Sequence, residues 1–216
     1  MHLLIVAKRP VAGLAKTRLM PAFGPDGSAE LAAAALADTF DAAQRCAADR
    51  VIVSFDGDPT GIVPRRFIVV PQRSGSFQDR LAGAWEDAGG PGVQIGMDTP
   101  QVTATDLDLA MERLEMAGTD GVLGPAADGG WWAIGLRRPT PGVFEGVAMS
   151  EPTTGEHQRR RMEELGLTIR SLPTVRDVDE PGDVAAVAAL APRTRFAEVA
   201  RRLLPTAEVQ HAVVGR

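Results

Sequence analysis

Val93-Gln-Ile-Gly-Met-Asp-Thr-Pro100 is the stretch on which the reading of this chain turns. A short apolar run ends at Gly96, puts an acid at Asp98 and stops at Pro100. A buried strand that delivers one carboxylate at its C-terminal end is how open α/β sheets commonly present a ligand-binding group, because the crevice lies outside the carboxyl ends of the strands. The same aspartate also suits the cap of a following turn. The neighbouring stretches have to choose between the two.

Upstream, Leu3-Leu-Ile-Val-Ala7 is the continuous apolar run expected of a central strand covered on both faces. It runs into Lys8-Arg-Pro-Val-Ala-Gly-Leu-Ala-Lys-Thr-Arg-Leu19. That loop has neither the Gly-Lys-Ser/Thr ending of a Walker loop nor the GxGxxG spacing. It has what a polyphosphate needs, since Gly13 lets backbone amides approach closely and Lys8, Lys16 and Arg18 bring charge. Lys8 and Lys16 are the only lysines among 23 basic residues, and a compact ammonium on a flexible stem suits a phosphate approached end-on. A solvated basic loop is the plainer alternative.

Strands and helices then alternate. Residues 28–47 carry Ala29, Ala32, Leu36, Phe40, Ala43 and Ala47 at helical spacing. Val51–Phe55 and Phe67–Val70 read as strands around an Asp56-Gly-Asp-Pro turn, and Ser76 caps a helix packing Phe77, Leu81, Ala84 and Ala88. This leaves Gln72 and Arg73 at the top of the sheet. After Asp98, Thr103 to Asp106 is a near capping box opening the stripe Leu107, Met111, Leu114. Gly121–Gly124 and Trp131–Leu136 read as strands joined by a tight loop, hence candidates for antiparallel neighbours. Asp128-Gly-Gly130 within that loop is a hairpin turn or an acid held where a ligand approaches the backbone. Thr153-Thr-Gly-Glu156 reads as a capping box for a helix to Leu165, and Leu167–Leu172 as the last strand. If Asp177-Val-Asp179 is extended, its two carboxylates share one face, roughly 6 to 7 Å apart at the backbone. Pro181 opens a further helix, and residues 194–204 an amphipathic one.

The alternation predicts one α/β domain with a largely parallel sheet over residues 1–204, followed by a tail or oligomer contact at 205–216, with a homodimer as a possible assembly. The net charge of -5 argues against a nucleic-acid partner. One cysteine, Cys46, excludes an intrachain disulfide. With no leader-like start and no apolar run of about 18 to 20 residues, a cytoplasmic location without a membrane span is the economical expectation. The basic loop, Asp98 and the pair Asp177 and Asp179 converge at one sheet edge. Together they suit a nucleotide diphosphate bridged by Mg²⁺ or Mn²⁺, for which carboxylate oxygens are hard ligands.

Lys8-Arg-Pro-Val-Ala-Gly13 with Lys16-Thr-Arg-Leu19, Gly96-Met-Asp-Thr-Pro100, Gly124-Pro-Ala-Ala-Asp-Gly-Gly130 and Asp177-Val-Asp179 resemble, in this order, the motifs of a bacterial GT-A-type glycosyltransferase family of the arsenosugar-biosynthesis type, whose members are otherwise uncharacterised nucleotide-diphosphosugar transferases. The resemblance spans about residues 1 to 190. It implies a three-layer α/β/α Rossmann-like GT-A domain with a mostly parallel mixed sheet. It also implies a nucleotide-phosphate loop from Lys8, Gly13, Lys16 and Arg18, a metal site from Asp98, Asp177 and Asp179, and Asp128, Gly129, Gly130 and Trp131 beside the transferred sugar or acceptor. Gln72, at the top of the sheet, joins the nucleotide site, and Asp128 is the leading candidate for general base, with Glu156 and His157 behind it, since the base must reach the acceptor hydroxyl. Met97 stands where a small residue is more usual, Trp131 replaces a tyrosine, and Met149-Ser-Glu-Pro-Thr-Thr departs from Trp-Ser-Thr. The implied activity is metal-dependent transfer from a nucleotide sugar to a small-molecule acceptor. Two alternatives stay open: nucleotidyl transfer from a nucleoside triphosphate, as in the related molybdopterin and 2-phospholactate nucleotidyltransferases, and a catalytically silent nucleotide-binding protein.

Overall fold

In a computed structural model of the protein, residues 1–204 are described; the stretch read as a tail or dimer contact falls outside them. The described chain runs β1 (His2–Lys8), α1 (Met20–Arg45), β2 (Arg50–Asp56), β3 (Ile68–Pro71), α2 (Phe77–Ala88), β4 (Gly92–Ile95), α3 (Ala104–Glu115), β5 (Gly121–Pro125), β6 (Trp131–Leu136), α4 (Thr154–Glu164), β7 (Ile169–Ser171), α5 (Pro181–Leu190) and α6 (Arg195–Leu203). The strands form one seven-stranded sheet in the order β3-β2-β1-β4-β6-β5-β7. Only β6 runs against its neighbours β4 and β5, and every other pairing is parallel. The expected mostly parallel mixed sheet is therefore what the chain builds.

Alternation along β1 explains the layers. Leu3, Ile5 and Ala7 face the helices α1 and α3, joining Phe40, Leu107 and Met111 in one core. Leu4 points the other way, into a core with Leu81, Trp85 and Met162 of α2 and α4. α5 and α6 pack a third cluster against α1 through Val184, Val187, Phe196 and Ala200. Among the described residues, no helix is long and apolar enough to cross a membrane.

Two local expectations are corrected. α1 begins at Met20, well before residue 28, because Gly24 takes a left-handed φ of 67° that lets a short first turn meet the helix restarting at Pro25. The expected Thr153 capping box at α4 does not form. Instead the Thr154 hydroxyl accepts from the Glu151 amide and donates to the Ala148 carbonyl, folding the preceding loop onto the helix start. By contrast, Ser76 with Asp79 and Thr103 with Asp106 do close capping boxes.

The chain leaves β1 for β2 and β3 on one side and returns to β4 on the other. The strand order thus reverses between β1 and β4, and the crevice at their C-terminal ends is the place where open α/β sheets bind ligands. Lys8 closes β1 and Asp98 follows β4 at this crevice.

Candidate functional site

A cavity of about 810 Å³ opens over these strand ends. Lys8, Lys16, Arg18, Gln72, Asp98, Asp128, Gly130, Trp131, Asp177 and Asp179 all line it. They reach it from opposite ends of the chain because residues 173–179 extend the line of β7 past the sheet. The Trp132 indole donates to the Pro173 carbonyl at 2.9 Å, Val175 exchanges backbone bonds with Pro125 and Ala127, and the Val178 amide donates to Asp98 O at 2.9 Å. Val178 is 1% exposed, so its burial turns Asp177 and Asp179 together toward the cavity.

One half of the site is organised by Lys16. Its ammonium lies 2.7 Å from Asp98 Oδ1 and 2.9 Å from Asp179 Oδ1, and it also donates to the Val178 carbonyl. Arg18 Nη1 holds the other Asp179 oxygen at 3.0 Å. Lys16 sits at φ 48°, ψ 52°, a left-handed conformation that costs a non-glycine residue on the order of 1 kcal/mol or more and persists only where the surroundings impose it. Burial works against the Lys16 charge, but the carboxylates of Asp98 and Asp179 outweigh it and raise its pKa. Asp98, expected among the metal ligands, pairs with this ammonium and is not one of the three clustered carboxylates.

The other half is acidic. Asp128, Asp177 and Asp179 each offer a carboxylate oxygen, and these lie within 4.8 Å of one another. Burial pushes the Asp177 pKa up to about 6, and the neighbouring Asp128 adds to it by repulsion. Asp128, expected as a base, thus stands beside the late acid pair, its Oδ1 held by the Gly130 amide at 2.8 Å. The loop that carries it is fixed by backbone packing. Gly129 has φ 91°, and a Cβ there would stand 1.8 Å from the Pro152 carbonyl oxygen, while its own carbonyl accepts from Gly155 at 2.8 Å.

The remaining expected residues divide. Trp131 stacks on Phe144, with ring centroids 6.2 Å apart. Gly13, at φ 82°, shapes the loop without lining the cavity. Gly129 and Glu156 border a smaller space of about 430 Å³ behind the loop, and His157 lines neither. Arg73 turns away to Glu86 and Asp87. The residue that sequence reasoning passed over is Arg80, which lines the main cavity from the first turn of α2. Its only signal was a helical position four residues after the cap Ser76.

Three carboxylates gathered around a common point, with cations across the same cavity, form the arrangement that hard divalent ions and phosphate oxygens complement. Solved structures share this fold. The "putative nucleotide-diphospho-sugar transferase" of Desulfovibrio desulfuricans G20 superposes with a TM-score of 0.77 at 23% identity, over 94% of this chain and 97% of that one. A CMP:2-keto-3-deoxy-manno-octonic acid synthetase complexed with CTP gives 0.55 at 14% identity, over 89% and 98%. The manganese complex of Rv0371C from Mycobacterium tuberculosis H37Rv gives 0.50 at 20% identity, over 89% and 99%. At these identities the likeness speaks for the fold. No curated protein matches the chain. The model of one family does match, over residues 28–151 and so over more than half of the chain, and the protein accordingly belongs to DUF2064, described as an uncharacterized protein family conserved in bacteria.

Proposed function

We propose that the protein is a divalent-cation-dependent transferase acting on a nucleotide sugar. The observation that carries this reading is the grouping of Asp128, Asp177 and Asp179 within 4.8 Å, in the same cavity as Lys8, Lys16 and Arg18. The carboxylates fit Mg²⁺ or Mn²⁺ because all are hard oxygen donors, and a bound ion would offset the burial and the repulsion from Asp128 that raise the Asp177 pKa. When bound, such an ion would neutralise charge on the departing nucleoside diphosphate. Asp98 and Asp179 hold Lys16 at the base of the basic loop, and Lys16 and Arg18 set the orientation of Asp179. Gly129 and Gly130 carry Asp128, and Gly130 and Trp131 line the cavity beside it, Trp131 as an apolar wall for a sugar or acceptor. The fold relation to a nucleotide-diphospho-sugar transferase and to a manganese complex supports the reading.

Nucleotidyl transfer from a nucleoside triphosphate is the second reading, favoured by the fold shared with a synthetase that binds CTP. Incubation with Mn²⁺ and a panel of nucleotide sugars and nucleoside triphosphates, with the released product identified, separates the two. Glycosyl transfer releases nucleoside diphosphate from a nucleotide sugar. Pyrophosphate released from a triphosphate alone would replace the first reading with the second. Absence of any ligand-induced rise in melting temperature across the panel would refute both.

A further inference from the structure

The cations that the basic loop contributes are not equally free. Lys16 and Arg18 are already engaged by Asp98 and Asp179. Among the described residues, Lys8 and Arg80 line the same cavity with no carboxylate in ion-pair contact: the Lys8 ammonium meets the Leu14 carbonyl at 3.2 Å, and Arg80 Nη1 only the Gln72 Oε1 at 3.4 Å. Arg80 Nε is buried with no hydrogen-bond partner. A guanidinium in this state carries a full charge and spare donors, which a phosphate oxygen satisfies better than water does in a half-enclosed space.

Arg80 is also held in place. The Gln72 amide donates to the Ala7 carbonyl at 2.9 Å and to the Ser54 carbonyl at 3.1 Å, at the ends of β1 and β2. Both amide hydrogens are spent there, so the oxygen left over is an acceptor pointed at Arg80. On another side the Arg80 guanidinium carbon lies 5.2 Å from the centre of the Phe77 ring, a cation–π contact. Phe77 is itself 41% exposed and lines the cavity together with Leu14, which is 68% exposed.

We infer that Arg80, positioned by Gln72 and Phe77 and paired with Lys8, is the residue that recognises the phosphates of the ligand. Lys16 serves the protein's own carboxylates. This rests on the nucleotide-phosphate reading above and adds to it the side from which the protein's free cations meet the anion, that of β1, β2 and α2.

The test is calorimetric titration of the full chain, with Mg²⁺ present, using UDP, GDP, ADP, CDP, their parent nucleosides and inorganic pyrophosphate. Arg80→Met should weaken the preferred nucleoside diphosphate and pyrophosphate about 30-fold, the loss expected for hydrogen bonds to a charged group, and leave the nucleoside within about threefold. Arg80→Lys, which keeps the charge and loses the planar fork, should fall between Arg80→Met and wild type. Arg73→Met, in the loop before α2 and tied to Glu86 and Asp87, should bind like wild type. Diphosphate binding by Arg80→Met at wild-type strength would overturn the inference, as would equal losses for diphosphate and nucleoside. Wild-type protein binding none of the probes would instead remove the nucleotide-phosphate reading on which it depends. Melting curves of Arg80→Met and Arg80→Lys confirm that folded protein is compared.

Discussion

The Lys16 half and the Asp128–Asp177 half of one cavity handle the same problem, carboxylates clustered at the ends of parallel strands, in opposite ways. Around Lys16 the protein supplies the counter-charge itself: Asp98 and Asp179 have an ammonium within 2.9 Å, and Asp179 a guanidinium as well. Among the described residues Asp128 and Asp177 have no Lys or Arg in ion-pair contact, and Asp177 has its pKa pushed up to about 6 by burial and by Asp128. Self-compensated charge is structure, and uncompensated charge in a cavity is an opening for a ligand. Asp179 belongs to both halves, so a cation bound between Asp128 and Asp177 would touch the pairing of Lys16 directly.

The largest effect expected from this contrast is on cation affinity. Asp177→Asn should weaken Mn²⁺ binding about 100-fold, the upper end of what loss of a supporting contact to a metal ligand costs. Asp98→Asn should leave it within a few-fold, because Asp98 already spends its charge on Lys16. Calorimetric titration of both variants with Mn²⁺ decides; equal losses would erase the distinction between the two halves. Next comes Lys16→Met, which turns the compensated half into a second uncompensated one. Unpairing a buried ion pair costs about 3 to 5 kcal/mol, but Asp98 and Asp179 keep side-chain exposures of 43% and 33%, so roughly 2 kcal/mol is expected in urea denaturation at neutral pH. The variant should also lose nucleoside diphosphates far more than nucleosides, since misdirected carboxylates repel phosphate.

The sequence carried the members of this site but not their pairing. Apolar runs ending in Lys8 and Ile95 place Lys8 and Asp98 at strand ends, and a period of two around buried Val178 puts Asp177 and Asp179 on one face, by local geometry alone. Antiparallel β5 and β6 were likewise legible from the short Gly-rich loop between them. That Lys16 would meet Asp179, 163 residues away, depends on the path of residues 173–179 past β5, which no local pattern encodes. Arg80 was hidden for a related reason: a charged residue among the first turns of a helix reads as solvated until the sheet shows which face is the cavity. The early start of α1 was missed because Gly24-Pro25 looks like a stop and acts as a kink.

The smallest effect is the most specific to the acidic half. In the folded protein without a cation, Asp177 has its pKa raised from 3.8 to about 6, so folding is accompanied by proton uptake between these values. Stability from this group is fully present below about pH 4 and is lost as the pH rises through 6. Asp177→Asn removes the charge, so in EDTA at pH 7.5 it should be more stable than wild type by about 1 kcal/mol, the shift being discounted for partial exposure and for the amide's poorer fit. Toward pH 4 the advantage should vanish. His2 pushes in the opposite sense: burial, then the charge of Arg50, lowers its pKa to about 4, so wild type and variant alike lose stability as the imidazole is forced to charge between pH 6.5 and 4. His2 opens β1 while Lys8 closes it, roughly 20 Å away, so its contribution is the same in both proteins and cancels in the difference. Urea denaturation of wild type and Asp177→Asn across pH 4 to 7.5 therefore isolates Asp177. A difference that stays flat with pH would mean that the acidic half is already compensated and that the contrast with Lys16 is only geometric.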